Sequence, residues 1–205
     1  MRIPVSGVVP QLVLEIPKGL NYECTRAPAN LCLLLEESQD EKQLMVTAFD
    51  PLKGRGKTLR TIEKDPSALF YASGLSPEGS TFAISRTGEA EIHIRLLSLS
   101  GGSVRDIKVK GWPNVCWMGL DWSADEKGLY VGSVAPQSGT LLYVDLKGNA
   151  QLVWQDKRAL SPIWGIPLPD GRHIAIRGEV TNSNVWMLEG FYRAVGLTSD
   201  KRRAL

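Results

Sequence analysis

The stretch Gly119–Gln155, GLDWSADEKGLYVGSVAPQSGTLLYVDLKGNAQLVWQ, decides the fold. With the residues just before it, Cys116–Ser123 (CWMGLDWS) is apolar and aromatic and reads as a buried first strand. Ser123 to Gly128 is a polar turn ending in glycine, the residue that accepts positive φ without steric cost. Gly128–Ser133 (GLYVGS) is a second strand and Leu141–Leu146 (LLYVDL) a third, with Pro136 to Gly139 turning between them. Asp145 to Asn149 is a hairpin turn of the Gly/Asn kind. Ala150–Gln155 (AQLVWQ) is the fourth strand. Short β-branched and aromatic runs separated by turn residues predict an antiparallel meander, and no long window carries a helical apolar period.

The same unit recurs. Its first turn returns as APAN (27–30), SPEG (76–79), SADE (123–126) and LPDG (168–171), at intervals of 49, 47 and 45 residues between second positions. Each turn leads into a short apolar strand: LCLLLE (31–36), TFAIS (81–85), GLYVGS (128–133) and HIAIR (173–177). Third strands follow as QLMVTAF (43–49), EIHIRLLS (91–98), LLYVDL (141–146) and NVWMLEG (184–190). The first three units continue to a fourth strand: KTLRTIE (57–63), VRDIKVK (104–110) and AQLVWQ (150–155). Four-stranded repeats of this length are the signature of β-propeller blades. The predicted fold is therefore all-β, a propeller of four-stranded antiparallel blades. Residues 1–16 read as a half blade (third and fourth strands), 17–63, 64–111 and 112–155 as full blades, 156–191 as a blade without its own fourth strand, and 192–205 as a tail.

The half blade holds a third strand at Arg2–Val5 and a fourth at Gln11–Ile16. Either Gln11–Ile16 completes the last blade and closes a ring of four, or the chain is the C-terminal portion of a larger propeller. The spare strand Arg2–Val5 favours the second. An open array would leave strand edges able to pair, so a homo-oligomer through open blade edges is an expectation.

Composition narrows the classes. Apolar residues make up 43% and charged residues 22%, as in ordinary globular proteins. The net charge of +2 gives no electrostatic case for nucleic acid. No apolar run reaches the length of a membrane-spanning helix.

The SPEG and PDGRH turns, each followed by a short apolar strand, resemble WD-repeat-like, TolB-type β-propeller repeats over about residues 1–191. CTRAPANLCLLLEE (24–37), TAFDPLKGRGK (47–57), LDWSADEKGLYVGS (120–133), LLYVDLKGNAQLVWQ (141–155) and PDGRHIAIRGEVTNSNVWMLEGF (169–191) further resemble the C-terminal propeller of acidobacterial winged-helix regulators and serine/threonine kinases. That resemblance implies a sensing or interaction module and supplies no catalytic residues.

Cys24 and Cys32 flank a hairpin-like turn centred on Pro28. Opposed positions on adjacent strands bring Cβ atoms into bridging range, and the resemblance favours a disulfide. The alternative is two buried free thiols, and spacing alone does not choose between them. A bridge implies an extracytoplasmic, oxidising compartment; free thiols imply the cytoplasm. Cys116, beside Trp117, reads as a small core residue. Only two histidines, His93 and His173, are present and there is no Cys-x-x-Cys, so no metal ligand set is expected. His93 shares a strand face with Glu91 and Arg95, and His173 sits beside Asp170; both read as surface or turn residues. Gly54 to Thr58 (GRGKT) imitates a phosphate loop, but Pro51 stands where that motif needs glycine. It reads as a basic β-hairpin turn. The serine-hydrolase elbow G-x-S-x-G does not occur.

Most of the six tryptophans read as inter-blade core. Tyr71, Trp122 and Trp164 are candidates to line the mouth of a central channel, where propeller loops converge. The expected function is a non-enzymatic module for protein interaction or ligand sensing, with a protein or small-molecule partner and no cofactor. The alternatives are an accessory domain gating a hydrolase, or a truncated product without independent function.

Overall fold

A computed structural model describes residues 7, 9–26, 28–68, 70–86, 91–113, 119–135, 138–157 and 163–178. All regular structure among them is β. Strands β1 (Gly19–Cys24), β2 (Cys32–Glu37), β3 (Gln43–Asp50) and β4 (Gly54–Glu63) form one sheet. Strands β5 (Tyr71–Leu75), β6 (Thr81–Arg86), β7 (Glu91–Ser98) and β8 (Val104–Pro113) form the second. Strands β9 (Leu120–Trp122), β10 (Gly128–Ala135), β11 (Ser138–Asp145) and β12 (Ala150–Asp156) form the third. Strands β13 (Trp164–Pro167) and β14 (Ile174–Arg177) pair as the start of a fourth. Each sheet is an antiparallel meander in chain order.

The sheets stack as blades. First strands β1, β5, β9 and β13 neighbour one another in sequence, while β4, β8 and β12 are the outermost strands of their sheets. This is the arrangement of consecutive propeller blades. Pleating sends alternate side chains into two different wedges. On β6, Phe82 and Ile84 pack toward the first blade with Leu33, Leu35, Leu44 and Val46. Ala83, from the same strand, joins Ile92, Ile94 and Ile107 against Trp122, Leu129, Val131 and Leu142 of the third blade. Leu141 and Ile163 begin the next wedge.

A single turn geometry closes six hairpins. Glu41, Gly79, Gly101, Glu126, Gly148 and Gly171 each donate a backbone N–H to the carbonyl three residues earlier, at 2.8–3.4 Å. All six have positive φ. The polar residues of the sequence repeat hold these turns: the Asp145 carboxylate accepts from Lys147 N at 2.8 Å and Asn149 N at 2.9 Å. The Ser76 hydroxyl accepts from Thr81 N at 3.0 Å.

Several expectations change. Gln11–Ile16 is not a fourth strand: Gln11 makes a single bridge and residues 12–16 have no regular structure. Pro10 and Pro17 bracket the segment, and neither can donate to a ladder. The segment lies against the first blade, where the Val13 carbonyl approaches Gly54, and does not join β13 and β14. Residues 54–58 belong to strand β4, and the turn precedes them at 51–53. Cys24 and Cys32 are directly opposed in register and form a disulfide, with Cα atoms 4.0 Å apart. Arg2–Val5, Cys116, Asn184–Gly190 and the tail 192–205 lie outside the described residues.

Ser85 is 3% exposed and its hydroxyl has no hydrogen-bond partner among the described residues. A buried hydroxyl without a partner costs about 1–3 kcal/mol. Ser85→Ala is expected to raise the unfolding free energy by about 1 kcal/mol, read as a higher urea midpoint at an unchanged slope.

Candidate functional site

The core between blades 1 and 2 does not fill the whole wedge. Beyond Ile62, Ile84 and Tyr71 the two blades leave a cleft of about 500 Å³. Its rim carries Lys64, Arg86, His93 and Arg95 together with Glu63, Asp65 and Asp106. These residues come from the end of β4, the connection into β5, and β6, β7 and β8 of the second blade. The volume is within the range that small-molecule sites occupy, and an aromatic wall with a few polar groups is their usual lining.

Internal pairing shapes the rim. The Tyr71 hydroxyl accepts from the Asp65 backbone N–H at 2.9 Å and donates to the Asp65 carbonyl at 3.3 Å. The Asp65 carboxylate pairs with Arg86 and accepts from the Ser67 hydroxyl at 2.6 Å. Arg95 bonds Asp106 through Nε alone, at 3.0 Å, so its two terminal nitrogens stand outside that contact. Lys64 pairs with Glu37 at 2.8 Å. His93 Nε2 is 3.7 Å from Glu91. Burial raises the Tyr71 pKa above its usual value, so the ring is a neutral wall near neutrality. Among the described residues no serine or cysteine lines the cleft. The groups present can hold a ligand by stacking and by charge-assisted hydrogen bonds.

A second polar cluster sits on the first strands. Asn21 Nδ2 donates to Glu23 Oε1 at 2.9 Å and to the Ser73 hydroxyl at 2.8 Å, joining β1 to β5. The Ser73 hydroxyl lies 3.4 Å from Glu23 Oε1. On the far side, Trp164 Nε1 donates to Asp121 Oδ2 at 2.9 Å, joining β13 to β9. Burial, and secondarily the Asp121 charge, push the Glu23 carboxyl up to about 8. Burial also raises Asp121, against the Trp164 hydrogen bond and the Arg26 charge. Among the described residues no group of three His, Cys, Asp or Glu is placed to hold a metal ion.

The three aromatic candidates separate. Tyr71 forms a wall of the inter-blade cleft. Trp164 is half-buried and committed to Asp121. Trp122 is not a lining residue: it is 5% exposed, packed in the core of blades 2 and 3, with its indole N–H on the Gly74 carbonyl at 3.1 Å. Both faces of a blade are buried, so strand alternation does not tell a core face from a lining face. Nothing in the sequence pattern marks Arg95 or Asp106 as cleft residues; polar residues inside the first strands, Asn21, Glu23 and Asp121, are the signal that marks the second cluster.

Together these features define a blade-repeat protein of the propeller type with an inter-blade cleft. No family model matches the sequence, and no curated protein matches it. Among solved structures, it is similar to a putative 6-phosphogluconolactonase from Bacteroides fragilis, at 11% identity and a TM-score of 0.33, over 76% of this chain and 72% of that one. The fold assignment rests on the sheets themselves.

Proposed function

We propose that this chain is a non-enzymatic binding module that takes a small-molecule ligand in the cleft between blades 1 and 2, as the propeller part of a bacterial regulator or kinase. The cleft with its Tyr71 wall carries the reading. Asp65 pairs with Arg86 and Asp106 with Arg95, and among the described residues no nucleophile–base couple faces it. The regulator or kinase context comes from the sequence strings that resemble such propellers. The Cys24–Cys32 bridge favours an extracytoplasmic setting, since disulfides persist under oxidising conditions.

A thermal-shift screen of sugars, amino acids, nucleotides and aromatic acids tests this. A ligand at a hundred times its Kd stabilises the folded chain by about 2.7 kcal/mol. The expected result is a compound that raises the melting temperature of the wild type and does not shift Arg95→Ala or Tyr71→Ala. Chemical conversion of the bound compound by the chain overturns the non-enzymatic reading. A shift retained in both variants overturns the site.

A further inference from the structure

The inter-blade cleft has most of its acceptors engaged and several donors left over. The Asp65 carboxylate uses both oxygens: Oδ2 pairs with Arg86, and Oδ1 accepts from the Ser67 backbone N–H at 2.8 Å and from the Ser67 hydroxyl at 2.6 Å. Asp106 Oδ1 accepts from Arg95 Nε at 3.0 Å. Ile62 packs into the core between blades 1 and 2, so strand alternation turns the Glu63 side chain to the opposite face of β4. On the donor side, the two terminal nitrogens of Arg95 meet no acceptor among the described residues. Lys64 holds Glu37 at 2.8 Å, and an ammonium has three N–H groups to offer.

We propose that the ligand of this cleft is a monocarboxylate with an aromatic or branched apolar body, its carboxylate held by the terminal nitrogens of Arg95. Arg95 and Asp106 are opposed in register on β7 and β8, so the Nε contact braces the guanidinium across the ladder and fixes the direction of its remaining edge. That edge presents two parallel N–H groups, which match the two oxygens of one carboxylate as a compact ammonium does not. Lys64, Arg86 and Arg95 each already stand beside a carboxylate, of Glu37, Asp65 and Asp106 in turn. The cleft therefore has donors in excess without charge in excess, and it suits one negative charge. A phosphate dianion brings a second charge that nothing in the cleft offsets. The Tyr71 hydroxyl is closed off by the Asp65 backbone, which leaves the ring to act with Ile62 and Ile84 as an apolar wall. At about 500 Å³ the cleft has room for a ring, a short side chain and its carboxylate. This inference rests on the cleft being a binding site and adds the class of ligand that it takes.

The test titrates benzoate and phenylacetate, each against its neutral primary amide, into the full chain by calorimetry at neutral pH. Each acid is expected to bind about tenfold tighter than its amide, as a charge-assisted contact to a fixed guanidinium gives. Arg95→Lys keeps the charge but loses the planar fork, and it is expected to remove that preference. Lys127→Gln deletes an exposed cation on the third blade and is expected to leave the preference unchanged. Acids and amides that bind alike, or acids that do not bind, overturn the carboxylate assignment. So does a preference that falls as far in Lys127→Gln as in Arg95→Lys, because it is then a general attraction of anions. Should Arg95→Lys not fold, the Arg95 guanidinium signals are followed by nitrogen-15 NMR while phenylacetate is added to the wild type, and signals that stay in place overturn the assignment. The cleft itself fails as a site by a different result: Tyr71→Ala leaves the affinity of every bound compound, acid or neutral, as it was.

Discussion

Phe82→Ala is expected to lower the unfolding free energy by about 3–5 kcal/mol, the usual cost of truncating a fully buried phenylalanine. Phe82 is 0% exposed and sits where blades 1 and 2 meet, among Leu33, Leu35, Leu44, Val46 and Leu97. Its backbone pairs with Leu75 on one side and Leu97 on the other. Both neighbours are held by ladders of their own, so the site cannot collapse onto the space left behind. Urea unfolding followed by circular dichroism measures the loss. Val104→Ala, at a side chain 47% exposed on the outer strand β8, is the control, with an expected effect within about 0.5 kcal/mol. A Phe82→Ala loss below 1 kcal/mol would show that the wedge between these blades is not packed as described.

Gly148→Ala carries the second large effect, about 2–4 kcal/mol, from two causes acting at one atom. The residue has φ +82°, a conformation that costs any L side chain. A Cβ at this position would also fall far inside van der Waals contact of the Lys108 carbonyl oxygen, in the neighbouring blade. The Gly148 carbonyl accepts the Lys110 backbone N–H at 3.0 Å, so relieving the clash means giving up a main-chain bond between blades 2 and 3. Gly101→Ala separates the causes. Gly101 has φ +101° with no described residue within 4 Å of its would-be Cβ, so it pays conformational strain alone, about 1 kcal/mol. Equal losses in the two variants would mean that the contact between β8 and the β11–β12 turn does not constrain the chain.

Much of this was legible from residue order, for a physical reason. A blade strand is short and ends in a turn with demanding dihedrals, so Ser-Pro-Glu-Gly or Asp-Leu-Lys-Gly-Asn marks its boundary closely. Strand β7 runs over the eight residues its alternation marks, Glu91–Ser98. The alternation fails where composition and hydrogen-bonding capacity part company. Gln11–Ile16 has strand-like apolar content, but prolines at both ends leave it without a place in a ladder. The site was less legible than the fold. Tyr71 and Ile84 meet Arg95 only because β5, β6 and β7 are paired and blade 1 stops short of covering them. Trp164 reaches Asp121 across 43 residues of sequence. Cys24 and Cys32 are the exception, because eight residues around one turn is a local relation that strand register completes.

The division of side chains on β6, large toward blade 1 and small toward blade 3, bears on how the molecule comes apart. Each sheet leans only on the sheets before and after it, so cohesion is the sum of separate seams and has no single centre. Bulk is distributed unevenly across those seams, with Phe82 and Ile84 filling one and Ala83 leaving room in the next for Trp122. A perturbation at one seam is therefore felt as a sliding of two sheets past each other, while the ladders inside each sheet stay intact. Opening of such an array is graded from seam to seam, and the blade with large residues on one face and small ones on the other sets the order in which its two neighbours let go.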